Sequence, residues 1–272
     1  MRKSVTLTLF LTTALILLPQ SSQGWGNGQS GNAQTDEASE CSSPPYSTHD
    51  WIADHALALL PTEERAWLEP HKTLYLLGTE APDNNDIPDA CNGPNNGYDD
   101  RRRGHSITWN ENFTEMINDR PARRAKEEYD KAVMAFEEGD TQAAAFYLGA
   151  AAHYIGDVSQ YGHSVPDEQV HSPYEGWVGR RTDKFDDGVF ESYIELDRLV
   201  RRTPYTATKR ISKVTAKGQG KILSAAEMDS LYSEKAGNQK YLDSIGHSLN
   251  YGVNALADVL HTFYLHMVAE EE

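Results

Sequence analysis

Two histidine–carboxylate pairs four residues apart, His153/Asp157 and His171/Glu175, stand within the single stretch HYIGDVSQYGHSVPDEQVHSPYE, with His163 between them. On a helix, side chains four apart lie on one face, one turn from each other. The pairs therefore constrain the fold to helices that aim neutral imidazoles and carboxylates at common points. A borderline-soft divalent ion such as zinc requires that donor set. One such pair arises often by chance; two pairs with a fifth ligand-type residue between them point to metal.

The rest of the chain agrees with a helical frame. Trp51, Ile52, His55, Ala56, Leu59 and Leu60 recur at three- and four-residue steps after Ser47 or Thr48 as N-cap, and Pro61 ends the run. Shorter helical pieces follow at 63–68 and 72–77, the second stopping at Gly78. The polar stretch 79–104 reads as a loop of a length that is usually functional or disordered. Helical periodicity returns over 112–138 and 141–160, with Gly139 and Gly162 at the ends, and again near 185–200. A basic polar connector then leads to a long final helix over 238–268. No convincing strand alternation and no internal repeat is present. The expectation is an all-α protein, a single compact multi-helix bundle preceded by an extended arm.

Residues 1–24 stand apart from that bundle. Arg2 and Lys3 precede an apolar run over 5–18, short for a membrane span, and Ser22 and Gly24 suit cleavage after Gly24. We expect a secretory signal, with a mature chain over 25–272 that begins at Trp25. Residues 25–47, rich in Gly, Ser, Asn and Pro, read as the extended arm. In an exported chain, Cys41 and Cys91 are expected to form a disulfide rather than to act as ligands or nucleophiles. The formal charge of −16 argues against loose electrostatic binding to nucleic acid or anionic lipid. It leaves open a phosphate substrate held through bound cations.

Further ligand-type residues lie upstream. His49 opens the first long helix, Asp83 follows Gly78 with Asp86 and Asp89 near by, and His105 precedes the next helix. Together with the 153–175 set this makes five histidines and three carboxylates. A catalytic zinc site takes about three protein ligands and leaves a position for water, so the set exceeds one site. It falls short of three unless a ligand is shared or the backbone contributes. The amine of a mature N-terminus at Trp25, chelating with its own carbonyl, would supply that contribution. His71, His247, His261 and His266 lack partners at useful spacing and read as packing or surface residues. His55 need not face the same way as His49. Arg101, Arg102 and Arg103 read as a solvated run that stands next to His105.

These stations resemble those of the secreted bacterial zinc-dependent phospholipases C, a family related in fold to the fungal single-strand-specific zinc nucleases. The resemblance covers most of the chain from Trp25 on. It is most specific in AAAFYLGAAAHYIGDVSQYGHSV and HSPYEGWV, and THDWIADHAL, LLGTEAPD and GHSIT are similar to the family's other stations. It implies a trinuclear zinc cluster. Asp83, His105, His153 and Asp157 would hold one Zn2+, and His163, His171 and Glu175 a second. Trp25, His49 and a shared Asp157 would hold the third. Glu175 resembles the phospholipase branch, since the nucleases generally carry Asp there. The arm between Trp25 and His49 is longer than the family pattern.

The activity so implied is hydrolysis of a phospholipid to diacylglycerol and a phosphorylated headgroup, with Asp83 as base or water orienter. The implied setting is a secreted or periplasmic monomer that touches a membrane surface transiently and has no stable nucleic-acid partner. Two other readings use the same residues: a single-strand nuclease or nucleotide phosphoesterase, and a secreted zinc-binding protein without turnover.

Overall fold

Helix α5, Thr141–Asp157, is the element on which the others are laid. Its sequence AAAFYLGAAAHYIGD places alanine and glycine where neighbouring helices approach, and nearly every residue from Ala143 on is buried. Asp140 caps it by accepting a hydrogen bond from the Ala143 amide at 2.9 Å. The structure, a computed structural model, describes residues 46–83, 104–165, 168–186 and 188–270. The signal segment, Trp25, Cys41, Cys91, Asp86, Asp89 and Arg101 to Arg103 lie outside the described residues.

Around α5 pack α1 (Thr48–Ala58), α3 (Lys72–Glu80), α4 (Arg120–Glu137), α7 (Pro204–Lys217) and α9 (Gln239–Glu270). Short helices α2 (Thr62–Arg65), α6 (His171–Gly179) and α8 (Ala225–Leu231) complete the bundle. The only sheet among the described residues is a hairpin of β1 (Thr108–Trp109) and β2 (Met116–Asn118). The all-α expectation stands. Among the described residues, no helix is long and apolar enough to cross a membrane.

Four local expectations change. Helix α3 does not stop at Gly78 but runs on to Glu80. Gly78 and Gly149 form the crossing point of α3 and α5: a Cβ on Gly78 would overlap the Phe146 carbonyl oxygen, and one on Gly149 that of Tyr75. The helix expected from 112 begins at Arg120 instead, with Pro121 in its first turn. Residues 110–115 form the hairpin turn, in which the Asn110 side chain accepts from the amides of Thr114 and Glu115 at 2.8 and 3.1 Å.

The stretch 185–200 is not helical beyond one turn of 3-10 helix at Glu191–Tyr193. Its chain is extended because α9 takes its backbone amides. Asn250, Asn254, Asp258 and Thr262 form an i, i+4 stripe and accept from Glu195, Asp197, Val200 and Arg202 at 3.1, 3.0, 2.9 and 2.7 Å. The basic connector, by contrast, contains α7. Thr203 caps its start, Pro204 sits in its first turn, and Gly218 ends it with φ of 60°.

Because the α3–α5 crossing has no room for a methyl group, Gly149→Ala should lower stability by about 3 kcal/mol, the upper end for overpacking. Thermal denaturation should show a midpoint roughly 6–12 °C lower. An unchanged midpoint would show that the helices can separate without cost.

Candidate metal centre

The C-terminal end of α5 collects donors from three other parts of the chain. His153 and Asp157 lie on one face of α5, and the Asp157 carboxylate is fully buried. His49 comes from the first turn of α1 and stacks on His153 with ring centroids 4.1 Å apart. Gly156 permits this, since a Cβ there would stand 3.0 Å from His49 Nδ1. Asp83 ends a 3-10 turn that continues α3, and His105 enters just before the hairpin.

The side chains converge on Asp157. His49 Nε2 lies 3.4 Å from its Oδ1, while His105 Nδ1 and His153 Nε2 lie 2.7 and 3.3 Å from its Oδ2. Asp83 Oδ1 stands 3.4 Å from His105 Nε2 and 4.0 Å from His153 Nε2. His153 is oriented from behind, its Nδ1 donating to the Thr79 carbonyl at 2.7 Å, which leaves Nε2 as the free donor atom. The close α3–α5 crossing puts that carbonyl within reach.

A second group lies alongside. His163 Nε2 and His171 Nε2 meet Glu175 Oε1 at 3.3 and 2.9 Å. Here too the opposite ring nitrogens are committed: His163 Nδ1 to the His105 carbonyl at 2.9 Å, and His171 Nδ1 to Glu168 at 2.5 Å. Gln160 donates to Glu175 Oε1 at 2.9 Å. The backbone of one candidate ligand, His105, thus orients a ligand of the neighbouring group.

Three triads have ligand atoms mutually within 4.8 Å: His49/His153/Asp157 and Asp83/His105/His153, which share His153, and the separate His163/His171/Glu175. All eight expected side-chain ligands among the described residues are therefore brought together; Trp25 is not among the described residues. Supporting residues escaped the sequence reading. Glu168, three residues before His171, carried a visible signal in its helical spacing. The Thr79 carbonyl carried none. His55 is held apart, between the Trp51 carbonyl and Glu191 at 2.8 and 2.9 Å.

The donors fit a cation. Both ring nitrogens of His49, both oxygens of Asp83 and Oδ1 of Asp157 are buried without a hydrogen bond among the described residues. Each buried polar atom left unsatisfied costs on the order of 1–3 kcal/mol. A positive ion between them satisfies them together, and imidazole with carboxylate is a zinc donor set. Burial alone would raise the Asp157 pKa, but His153, His105 and His163 hold it well below the usual carboxylate range. Burial would lower His153, yet Asp157 and Asp83 raise it above its ordinary value. His49 is pushed down to about 4 by burial and then by His153, so at neutral pH one of its ring nitrogens offers a lone pair.

A family model described as "Zinc dependent phospholipase C" matches residues 48–234. Among solved structures, the alpha toxin of Clostridium absonum is 18% identical with a TM-score of 0.52, covering 85% of this chain and 65% of the toxin. The alpha-toxin of an avian Clostridium perfringens strain is 19% identical with a TM-score of 0.52, covering 83% of this chain and 64% of the toxin. At these identities the likeness is one of fold, and the chain spans just under two thirds of the toxins' length. No match was found among curated proteins.

The depressed His49 predicts an acid response of the metal-free chain. Its unfolded form takes up a proton near pH 6.5, its folded form only near 4. Stability from this residue is complete above pH 6.5 and falls by about 3 kcal/mol as pH drops to 4. Urea titrations in the presence of chelator should show this loss in the native sequence and its absence in His49→Gln. Parallel losses in both would refute it.

Proposed function

The chain belongs to the zinc-dependent phospholipase C family, and from that premise we propose that it hydrolyses a phosphodiester, with a phospholipid as substrate and diacylglycerol and a phosphorylated headgroup as products. The observation that carries this reading is a pair of donor triads that share His153 beside the buried Asp157, with a third triad alongside, and with several donor atoms of the first two lacking a hydrogen bond among the described residues. A purely structural zinc site is closed by four ligands. Here the donors are spread over adjoining groups, which would suit more than one cation acting on a phosphoryl group.

Asp83, His105, His153 and Asp157 would hold one zinc ion; His163, His171 and Glu175 would hold a second. The third would rest on His49, a shared Asp157, and the amine and carbonyl of Trp25 at the mature N-terminus. Zinc bound there supplies Lewis acidity, polarising the phosphoryl oxygens and making water more acidic. The protein contributes placement. Thr79, His105 and Glu168 fix the rings of His153, His163 and His171, so the donors need no reorganisation on binding.

Asp83 has both carboxylate oxygens without a hydrogen bond at the edge of the group. It can accept a hydrogen bond from the attacking water and line it up with phosphorus. The new P–O bond forms from that water as the bond to the glycerol oxygen breaks, and the glycerol oxygen takes up a proton. Residues 25–272 would form the one exported catalytic domain after removal of the signal.

Chain beginning at Trp25 and loaded with zinc should carry three ions by elemental analysis, and Asp157→Asn should carry one. Retention of three by the variant would remove Asp157 from its bridging role. Phosphorus NMR of phosphatidylcholine in mixed micelles should show phosphocholine appearing with the native chain. Three zinc ions with an unchanged lipid signal, and cleavage of single-stranded DNA instead, would make the protein a nuclease.

A further inference from the structure

One segment of the chain is charged oppositely to the rest. Residues 198–221 contain eight of the 25 lysines and arginines and none of the 41 aspartates and glutamates. Its helical part is α7, on which Arg210, Lys213 and Lys217 follow at three and four residues and form one ridge, with Lys209 beside it. Lys209 and Arg210 are exposed, and Lys213 and Lys217 are half-buried. Lys213 and Lys217 lie over the rings of Trp109 and Phe113, at 5.4 and 5.5 Å from the centroids.

Within the segment, Arg202 is ion-paired with Asp258 at 2.9 Å. The four cations of the α7 ridge form no ion pair among the described residues, and Glu111 and Glu115 of the nearby hairpin do not reach them. Like charges at such spacings weaken a helix, so the ridge is kept against a local cost.

We propose that this ridge docks the protein on an anionic phospholipid surface, an inference that rests on the phospholipid reading given above. The net charge of −16, which argues against diffuse attraction to anionic lipid, weighs less on a local cluster that meets the surface directly. Screening cuts off interactions beyond about 8 Å at physiological salt, so a surface meeting the ridge senses the lysines and not the distant carboxylates. A single-stranded nucleic acid fits less well. It needs open aromatic faces for stacking, whereas Trp109 is buried and Phe113 is half-buried under Lys217.

The ridge is also tied to the candidate centre. Helix α7 packs on the turn Tyr161–His163, and Trp109, four residues after His105, donates through Nε1 to Ser212 at 3.2 Å. Docking would hold both ligand-bearing elements one helix away from the lipid.

The test uses zinc-loaded chain beginning at Trp25 and sedimentation with vesicles of phosphatidylcholine, alone or with about a third phosphatidylglycerol. Binding should require the anionic lipid and disappear in roughly 0.5 M salt. The variant K209Q/R210Q/K213Q/K217Q should bind roughly 600-fold more weakly, at about fivefold per charge. K126Q/K131Q/K235Q/K240Q, with the same change in net charge elsewhere, should bind as the native chain does. Thermal melts establish that both variants fold, and turnover of a monomeric short-chain phosphatidylcholine should be equal in all three. Equal vesicle binding by the two variants would overturn the proposal, as would native chain that binds single-stranded oligonucleotide but not anionic vesicles. Charge-dependent vesicle binding without turnover would support the docking face and overturn the catalytic reading.

Discussion

The Asp157 carboxylate is the constraint that the rest of the centre answers. It is fully buried, and it is the last residue of α5, where the helix dipole already presents negative charge. Both facts disfavour a charged carboxylate there. An unpaired buried charge is far too costly for a protein of ordinary stability, so positive charge has to be gathered around it. His105, His153 and His49 from three different elements do so. Protons on those rings oppose one another: besides burial, His153 lowers His49, and His105 lowers His153. A divalent cation supplies the positive charge without that conflict and also satisfies the open oxygens of Asp83.

What the sequence made legible is what depends on local spacing. The His153/Asp157 and His171/Glu175 pairs are readable because four residues is one helical turn, and both pairs do lie on helices. His49 is readable because it opens a helix with Ser47 as N-cap; it lies within a capping box in which Ser47 and Asp50 satisfy each other's backbone amides. The all-α architecture follows from the same periodicity. The convergence of Asp83, His105 and His153 is of another kind, since it depends on how α3 crosses α5. Gly78 reads as a helix stop under local rules, yet its actual role is to let two backbones touch, and only the partner glycine, 71 positions on at Gly149, reveals this.

The other departures have the same origin. Residues 185–200 carry enough apolar residues to resemble a helix, and no local rule forbids one. The stripe Asn250, Asn254, Asp258 and Thr262 decides otherwise, by offering side-chain acceptors to an extended backbone. On α9 alone that stripe looks like an ordinary solvated face. Helix α7 was missed for the opposite reason: its charge masks its pattern, although Thr203, Pro204 and Gly218 mark its ends as clearly as any helix in the chain. Long-range polar pairing thus overrides local reading in one place, and local charge hides a sound helix in another.

The late start of α4 and the presence of α7 meet in the hairpin. Asn110 and its turn end what would otherwise continue as α4, and the short ladder that results sets Trp109 against α7. On the other side of the same segment, the His105 carbonyl fixes His163 and the His105 ring reaches Asp157. The irregular segment 104–119 therefore joins the basic face of α7 to both groups of candidate ligands. Departure from helical order in an otherwise helical protein is most economically explained by that joint requirement.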